Sequence, residues 1–519
     1  MKKALSSLFL LAASLLLLAQ NGAVPIPVGG DRECFFDEYL LDMGRTTAGL
    51  RLHRPVYKGT VMVHDAPWEG SGCDLHNFFF DDQFAGVDGS HPEGVYRMYH
   101  LGWKIGSGAK GSKGSKTLVV CYAESPDGIT WTKPDLGLQA FEGDTHNNIV
   151  VAYPLHPGNG FTPNGQGKYV PNFMVFRDDN PACLPEEKYK GITLAGKELR
   201  YFISTDGLHW AEGGVITDKG RFDTLDIAFW DERAGLYRCY IRTYHDTKDP
   251  RVVNPVRTVS YLESKDFRTW TEPVDITFDD GEEIPLYTNC MSNYFRAPQL
   301  CIGFPSRYVE RTKWTGNYDE LGGLQHRKDR FAIGARYGLA VTDCNFVVSR
   351  DGKHFHRFWE AFMTPGPELD TNWVYGDCFL ARGFAITPND IPGAPDELSL
   401  YVSVNHWMDE PAKLNRYTIR MDGFASLHAD GKEVQAVTKP FTYTGGELHI
   451  NFETSAMGYV YVTLIDAKGN RFPACETFGN AIDRKVVFDD PEAVAANAGK
   501  PVTLEFRLRD ADIYSMQFR

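Results

Sequence analysis

Ser125-Pro126-Asp127-Gly128-Ile129-Thr130-Trp131 is a seven-residue stretch that returns three times downstream. Ser204-Thr205-Asp206-Gly207-Leu208-His209-Trp210 keeps every key position. Ser264-Lys265-Asp266-Phe267-Arg268-Thr269-Trp270 has Phe in place of Gly, and Ser349-Arg350-Asp351-Gly352-Lys353-His354-Phe355 has Phe in place of Trp. The copies start roughly 80, 60 and 85 residues apart, too uneven for a solenoid but suited to propeller blades carrying variable loops. Asp-Gly is a hairpin signal, because Gly takes positive φ without steric cost, while the Ser and Asp side chains cap local backbone groups. Each copy is expected to join the two outer strands of one blade.

Working outward, aromatic-rich segments precede the hairpins: Tyr96-Arg97-Met98-Tyr99-His100, Lys188-Tyr189-Lys190 and Leu236-Tyr237-Arg238-Cys239-Tyr240. They read as second strands. The inner strands are then expected at Leu75 to Phe80, Asn172 to Arg177, Leu225 to Trp230, Gln299 to Phe304 and Cys378 to Phe384. The fifth blade continues near Leu398 to Val404 and Asn415 to Arg420 and has no hairpin copy. Thirty-three Phe, 25 Tyr and 10 Trp weight the chain toward strands. The most helix-like stretch after the N-terminal segment is Asp489 to Ala498. The expected fold class is all-β: a five-bladed β-propeller over 24–420 and a C-terminal β-sandwich over 421–519, where alternating segments such as Val460 to Leu464 and Val502 to Leu508 begin to dominate.

Residues 1–23 read as a signal peptide. Met1-Lys2-Lys3 is a short basic start, Ala4 to Leu18 is apolar but too short to span a bilayer, and Ala19 and Ala23 are small residues suited to cleavage. Export to the periplasm or medium of a bacterium follows, with no transmembrane span in the mature protein. The formal charge of −14, with no basic run against it, excludes a nucleic-acid partner. The ten Cys form no C-x-x-C pair and read as scattered core residues.

Five apparent blades and a sandwich in an exported chain resemble the furanosidase-type glycoside hydrolases of families 32 and 43. The chain is similar, too, to secreted bacterial proteins of the family 32-like kind. The segments that carry this are Pro67-Trp68-Glu69-Gly70, Cys121-Tyr122-Ala123-Glu124-Ser125, Ala228-Phe229-Trp230-Asp231, Leu286-Tyr287-Thr288-Asn289, Gly303-Phe304-Pro305-Ser306-Arg307 and Leu508-Arg509-Asp510-Ala511-Asp512-Ile513-Tyr514-Ser515. The resemblance implies an exo-acting hydrolase of an oligo- or polysaccharide, with axial carboxylates as acid and as base or nucleophile. Two family signatures, W-M-N-D-P-N-G in blade one and Glu-Cys-Pro in blade three, are absent.

The resemblance points to Asp74 at the first inner strand, Asp178 in an Arg-Asp stabiliser-like motif, Asp223 in preference to Asp226 before the third, and Glu283 beside Glu282 before blade four. Each has a structural alternative: a strand-initiating cap for Asp74, a turn for Asp178, a solvated acidic loop for Glu282 and Glu283. Trp68, Glu69, Tyr287, Asn289, Arg296, Arg307, Trp373, Asp377 and His406 lie near expected loop ends and are candidate sugar-binding residues. No cofactor and no metal motif is expected, since neither H-E-x-x-H nor a calcium loop occurs; a structural calcium on the axis stays open. Two other readings remain: a non-catalytic carbohydrate-binding propeller, and a sialidase-like exo-glycosidase suggested by the S-x-D-G-x-x-W boxes, for which three axial Arg and a Tyr nucleophile are not assembled.

Overall fold

The computed structural model describes residues 24–103, 118–152 and 172–519. The signal-peptide expectation for 1–23 lies outside the described residues. Among them no helix is long and apolar enough to cross a membrane. The chain divides into two compact units, residues 54–421 and residues 24–53 with 422–519.

Residues 54–421 form a five-bladed propeller. From the innermost strand outward, blade 1 runs Asn77–Asp81, Val95–Trp103, Leu118–Ser125, Ile149–Ala152. Blade 2 runs Met174–Arg177, Tyr189–Ala195, Glu198–Ser204, Ala211–Thr217, and blade 3 runs Ile227–Asp231, Leu236–His245, Val256–Ser264, Val274–Asp275. Blade 4 runs Ser292–Tyr294, Ala297–Gly303, Val347–Ser349, His354–Arg357, with Thr277–Phe278 added at its edge. Blade 5 runs Ala385–Thr387, Glu397–Val404, Lys413–Arg420 and takes its outermost strand, Val56–Val63, from the start of the unit. That exchange explains why blade 5 has no hairpin copy: its third and fourth strands are not consecutive in sequence.

The four boxes join third to fourth strands, and their chemistry is uniform. Ser Oγ donates to Asp Oδ1 in each (Ser125–Asp127 2.9 Å, Ser204–Asp206 3.0 Å, Ser264–Asp266 3.0 Å, Ser349–Asp351 2.9 Å). Gly128, Gly207 and Gly352 have φ of 69°, 76° and 74°. The Tyr401, Tyr99 and Tyr240 hydroxyls of the preceding blades donate to their carbonyls, and an added Cβ at Gly207 would stand 2.8 Å from the Tyr99 hydroxyl. Blade 3 departs at both ends of this lock. Phe267 takes the positive φ (62°), and Ile192 occupies the register position that Tyr99 and Tyr240 hold. The Phe267 ring then packs edge-on against Tyr201, Tyr237 and Trp270.

Two of the sequence expectations shift. Gln299 to Phe304 overlaps the second strand of blade 4, not the inner one, and the fifth inner strand is at Ala385–Thr387, after Cys378 to Phe384. Blade 4 also carries an insertion between its second and third strands: a hairpin, Ser306–Val309 with Val341–Cys344, enclosing α1 (Gly316–Glu320), α2 (Leu324–Ile333) and α3 (Ala335–Leu339). The buried face of α2 is Arg327 and Arg330, a charged pair one turn apart, so no apolar stripe announces the helix.

The second unit corrects the domain boundaries. Ile26–Gly29, Glu33–Cys34 and Gly49–Leu52 pair with strands beyond 421, so the propeller begins at Arg54, not at 24. Ten strands form one sheet around Leu448–Asp466 and Val502–Phe518, which pair along most of their lengths and close over a core including Phe452, Leu464, Phe506 and Phe518. The register shifts between Thr454 and Tyr459, so the segment Val460 to Leu464 read from the sequence is part of one longer strand, Leu448–Asp466.

Candidate active site

The site is built where the inner strands begin. A buried polar residue precedes each of the five: Asp74, Asn172, Asp226, Asn289 and Asp377. Neighbouring inner strands hold this ring in place, as the Asn77 amide donates to the Phe173 carbonyl (2.9 Å) and accepts from Val175 N–H (2.8 Å).

Asp74 is the most exceptional member. Its Oδ1 is buried with no hydrogen-bond partner among the described residues, and Oδ2 lies 3.2 Å from His406 Nδ1, out of line for a hydrogen bond. Burial pushes the Asp74 carboxyl up to about 8, and burial followed by the Arg330 charge holds the His406 imidazole well below its usual range. Both groups are therefore neutral at pH 7, leaving Asp74 a protonated acid. Tyr375 packs edge-on against His406 at 5.3 Å, and its hydroxyl donates to that of Tyr287 (3.2 Å), which donates to the Asp223 carbonyl (3.0 Å).

On the blade 3 side, Asp223 is ion-paired with Arg242, whose guanidinium stands 5.2 Å over the Tyr287 ring. The Asp223 side chain is 38% exposed, so this carboxylate reaches solvent. Asp226 is buried and accepts the Arg242 backbone N–H at 3.0 Å; burial raises its carboxyl well above the usual range. The sequence preference for Asp223 thus places the accessible carboxylate, and Asp226 turns inward.

The blade 4 insertion braces the far side. Arg330 donates to the carbonyls of Tyr375 (3.4 Å) and His406, and Arg327 to that of Trp373 (2.8 Å). A charged side chain from α2 thereby fixes both loops that face Asp74. Asp377 accepts from Val374 N–H (2.8 Å), and burial raises it to about 7. It holds the turn that carries Tyr375.

A cleft of about 240 Å³ opens between blades 3 and 4, lined by Arg251, Glu282, Glu283, Tyr308, Glu310 and Trp359 among others. Glu283 Oε2 is a buried atom without a partner among the described residues, and Oε1 lies 3.5 Å from His245 Nε2. Glu282 is ion-paired with Arg251 (2.7 Å). Trp359 is 52% exposed at the rim, and Tyr308 packs 5.4 Å from Tyr375, so aromatic rings connect this cleft to Asp74.

Other sequence candidates fall elsewhere. Asp178 follows the inner strand of blade 2, at its opposite end from Asn172, pairs with buried Lys190 and accepts from the Tyr237 hydroxyl at 2.7 Å. Asp81 with Arg97 and Asp231 with Arg238 repeat that pairing, so Asp178 belongs to the blade frame and not to the site. Arg296 sits in the Ser292–Tyr294 to Ala297–Gly303 turn, at that same far end. Arg307 is committed to Asp343 at 2.6 Å, and the Trp373 indole to the Gly366 carbonyl at 3.0 Å. Asn289 is buried, its Oδ1 accepting from Met291 N–H (3.1 Å), and Trp68 donates to Asn148 Oδ1 (2.8 Å).

Glu69 is buried too, within three histidines instead of on a binding surface. Its Oε1 lies 3.0 Å from His100 Nε2 and 3.5 Å from His64 Nδ1, and Oε2 accepts from Lys133 at 2.5 Å. Burial opposes its charge, but the histidine hydrogen bonds outweigh burial and hold it well below the usual carboxylate range. His64, His76, His100, Lys133, Arg242, Tyr375 and Arg330 are the residues that sequence reasoning misses. Among them, His100, in the segment Tyr96 to His100, and His76, in the expected inner strand Leu75 to Phe80, carried a local signal.

No protein-family model matches the chain, and no curated protein sequence does. Solved structures are similar in fold. An N-acetylgalactosamine deacetylase from F. plautii is 12% identical at TM-score 0.41, over 71% of this chain and 94% of its own. A family 32 β-fructofuranosidase of Bombyx mori is 8% identical at TM-score 0.36, over 90% and 94%. A family 117 glycoside hydrolase of Zobellia galactanivorans is 11% identical at TM-score 0.38, over 70% and 90%. All have TM-scores below 0.5, and the functional reading rests on this chain's own residues.

Proposed function

We propose that the propeller is an exported glycoside hydrolase that cleaves a terminal sugar, furanoside-type linkages being the first to test. The observation that supports it is Asp74: a buried, protonated carboxyl with an unpartnered oxygen, set across an aromatic bridge from Asp223, an ion-paired carboxylate open to solvent. Glycoside hydrolysis needs that asymmetry. Asp74 gives its proton to the leaving oxygen as the C–O bond breaks. Asp223 either attacks the anomeric carbon, after which water displaces the glycosyl ester while Asp74 takes that water's proton, or takes the proton of a directly attacking water; in both cases the sugar leaves with a new hydroxyl. Arg242 stabilises the Asp223 anion, the neutral His406 ring packs beside Asp74, and Tyr287 and Tyr375 offer ring faces and hydroxyls to the sugar. Glu283, with its unpartnered Oε2, and Trp359 then serve the adjoining cleft as a further sugar subsite.

The test is sugar release from aryl glycosides and plant, microbial and host glycans by the mature protein, with Asp223→Asn and Glu283→Gln alongside. Release that falls by two orders of magnitude or more in folded Asp223→Asn, and rises in KM with kcat kept in Glu283→Gln, supports the roles given. Binding without release from every glycan would instead make the propeller a lectin-like module.

A further inference from the structure

Around His100, one residue along the blade 1 strand from Leu101, whose N–H meets the Asp74 carbonyl at 3.2 Å, lies a cluster that the hydrolytic scheme does not use. His64, Glu69, His76 and His100 are all buried, and their three imidazole centroids are 4.7 to 5.0 Å apart. Placing a carboxylate and three imidazoles away from water costs several kcal/mol unless they bind something or satisfy one another. They satisfy one another incompletely: His100 Nδ1 has no partner among the described residues, and the His64 contact to Glu69 is long for a hydrogen bond at 3.5 Å.

We propose that His64 Nδ1, Glu69 Oε1 and His100 Nε2 bind a divalent transition-metal ion of the zinc class. Each of the three residues offers one ligand atom, and the three ligand atoms lie within 4.8 Å of one another. A tetrahedral ion with bonds of about 2.0–2.1 Å separates its donors by roughly 3.3 Å, and the two distances measured from Glu69 Oε1, 3.0 and 3.5 Å, straddle that value. Outer contacts of the kind such a site uses are present at His64 and Glu69. His64 Nε2 lies 3.1 Å from His76 Nε2, so the ligand's other ring nitrogen has a partner, and the second Glu69 oxygen accepts from Lys133 (2.5 Å) and Ala66 N–H (3.3 Å). Two nitrogen donors in three exclude calcium or magnesium as the preferred ion. Three protein donors leave a fourth position for a water molecule. The site is independent of the hydrolase reading and stands or falls without it.

The test is metal analysis of the mature, untagged chain purified without chelator, followed by zinc, cobalt(II) and calcium titrations after chelator stripping. About one equivalent of zinc is expected, with cobalt(II) giving the visible bands of a four- or five-coordinate ion and calcium failing to displace either. Glu69→Gln and His100→Gln should lose the bands. His76→Ala, outside the ligand set, should retain the fold and weaken cobalt binding by roughly 10- to 100-fold. His146→Ala, at the surface and outside the cluster, should leave cobalt binding unchanged. A folded wild type that takes up less than about a tenth of an equivalent of zinc or cobalt, or undiminished binding in Glu69→Gln, overturns the assignment and leaves a metal-free hydrogen-bond network.

Discussion

In the proposed hydrolysis Asp74 is the carboxyl that carries the proton. Because the folded chain raises it from the ordinary 3.8 to about 8, the folded state binds its proton more tightly than the unfolded state across that interval. Stability from this group therefore declines as pH rises from about 4 to about 8 and levels off above it. Asp74→Asn removes the titration, so the difference in unfolding free energy between pH 5 and pH 9 should be smaller in the variant than in the wild type. Urea unfolding at the two pH values measures this, and parallel pH dependences would contradict it. Asp74 was legible in the sequence because an Asp stands where an inner strand begins. Asp178 was misleading for a related reason. An Asp after an apolar run caps either end of a strand, and only the partner, Lys190, tells the frame from the site.

Among elements, α2 governs the loops that face Asp74. Arg330 is buried, and its guanidinium, pushed down by burial to about 10, still carries its charge at neutral pH while bridging the Tyr375 and His406 carbonyls. Arg330→Met should cost about 2–4 kcal/mol of stability by freeing those carbonyls and should lower kcat more than it raises KM. Thermal unfolding with steady-state kinetics on the same preparation checks both. The helix itself was illegible, since its inner face is made of arginines. The boxes were legible because Ser, Asp and Gly each have a local backbone task, whereas the lock they make with the preceding blade depends on register across distant strands. Blade 3 tests that lock. Phe267→Gly alone should cost about 3–5 kcal/mol through the cavity it leaves, and Ile192→Tyr alone should strain the same space. The double variant restores the Tyr-to-Gly pairing, so a favourable coupling of about 1 kcal/mol or more is expected in the cycle, and strict additivity would contradict it.

For the molecule as a whole, five blades, their hairpins and the change of texture near residue 421 were readable from local patterns. Blade closure was not: Val56–Val63 looks like any strand, and nothing local says that its partner is Lys413–Arg420, more than three hundred residues on. The same non-local pairing assigns residues 26–52 to the other unit. The site inherits this logic. Asp74, Asp223, Tyr375 and His406 come from blades 1, 3 and 5, and their roles appear only when the ring is closed. The most direct test of the account is the rate of sugar release from the first glycan that the wild type cleaves, followed from pH 5 to 10 in wild type and in folded Asp74→Asn. Wild-type turnover should fall as pH rises through about 8, and the variant should be slowed by about 10²–10⁴-fold with that alkaline limb gone. A variant that keeps the wild-type rate and the same alkaline limb would contradict this.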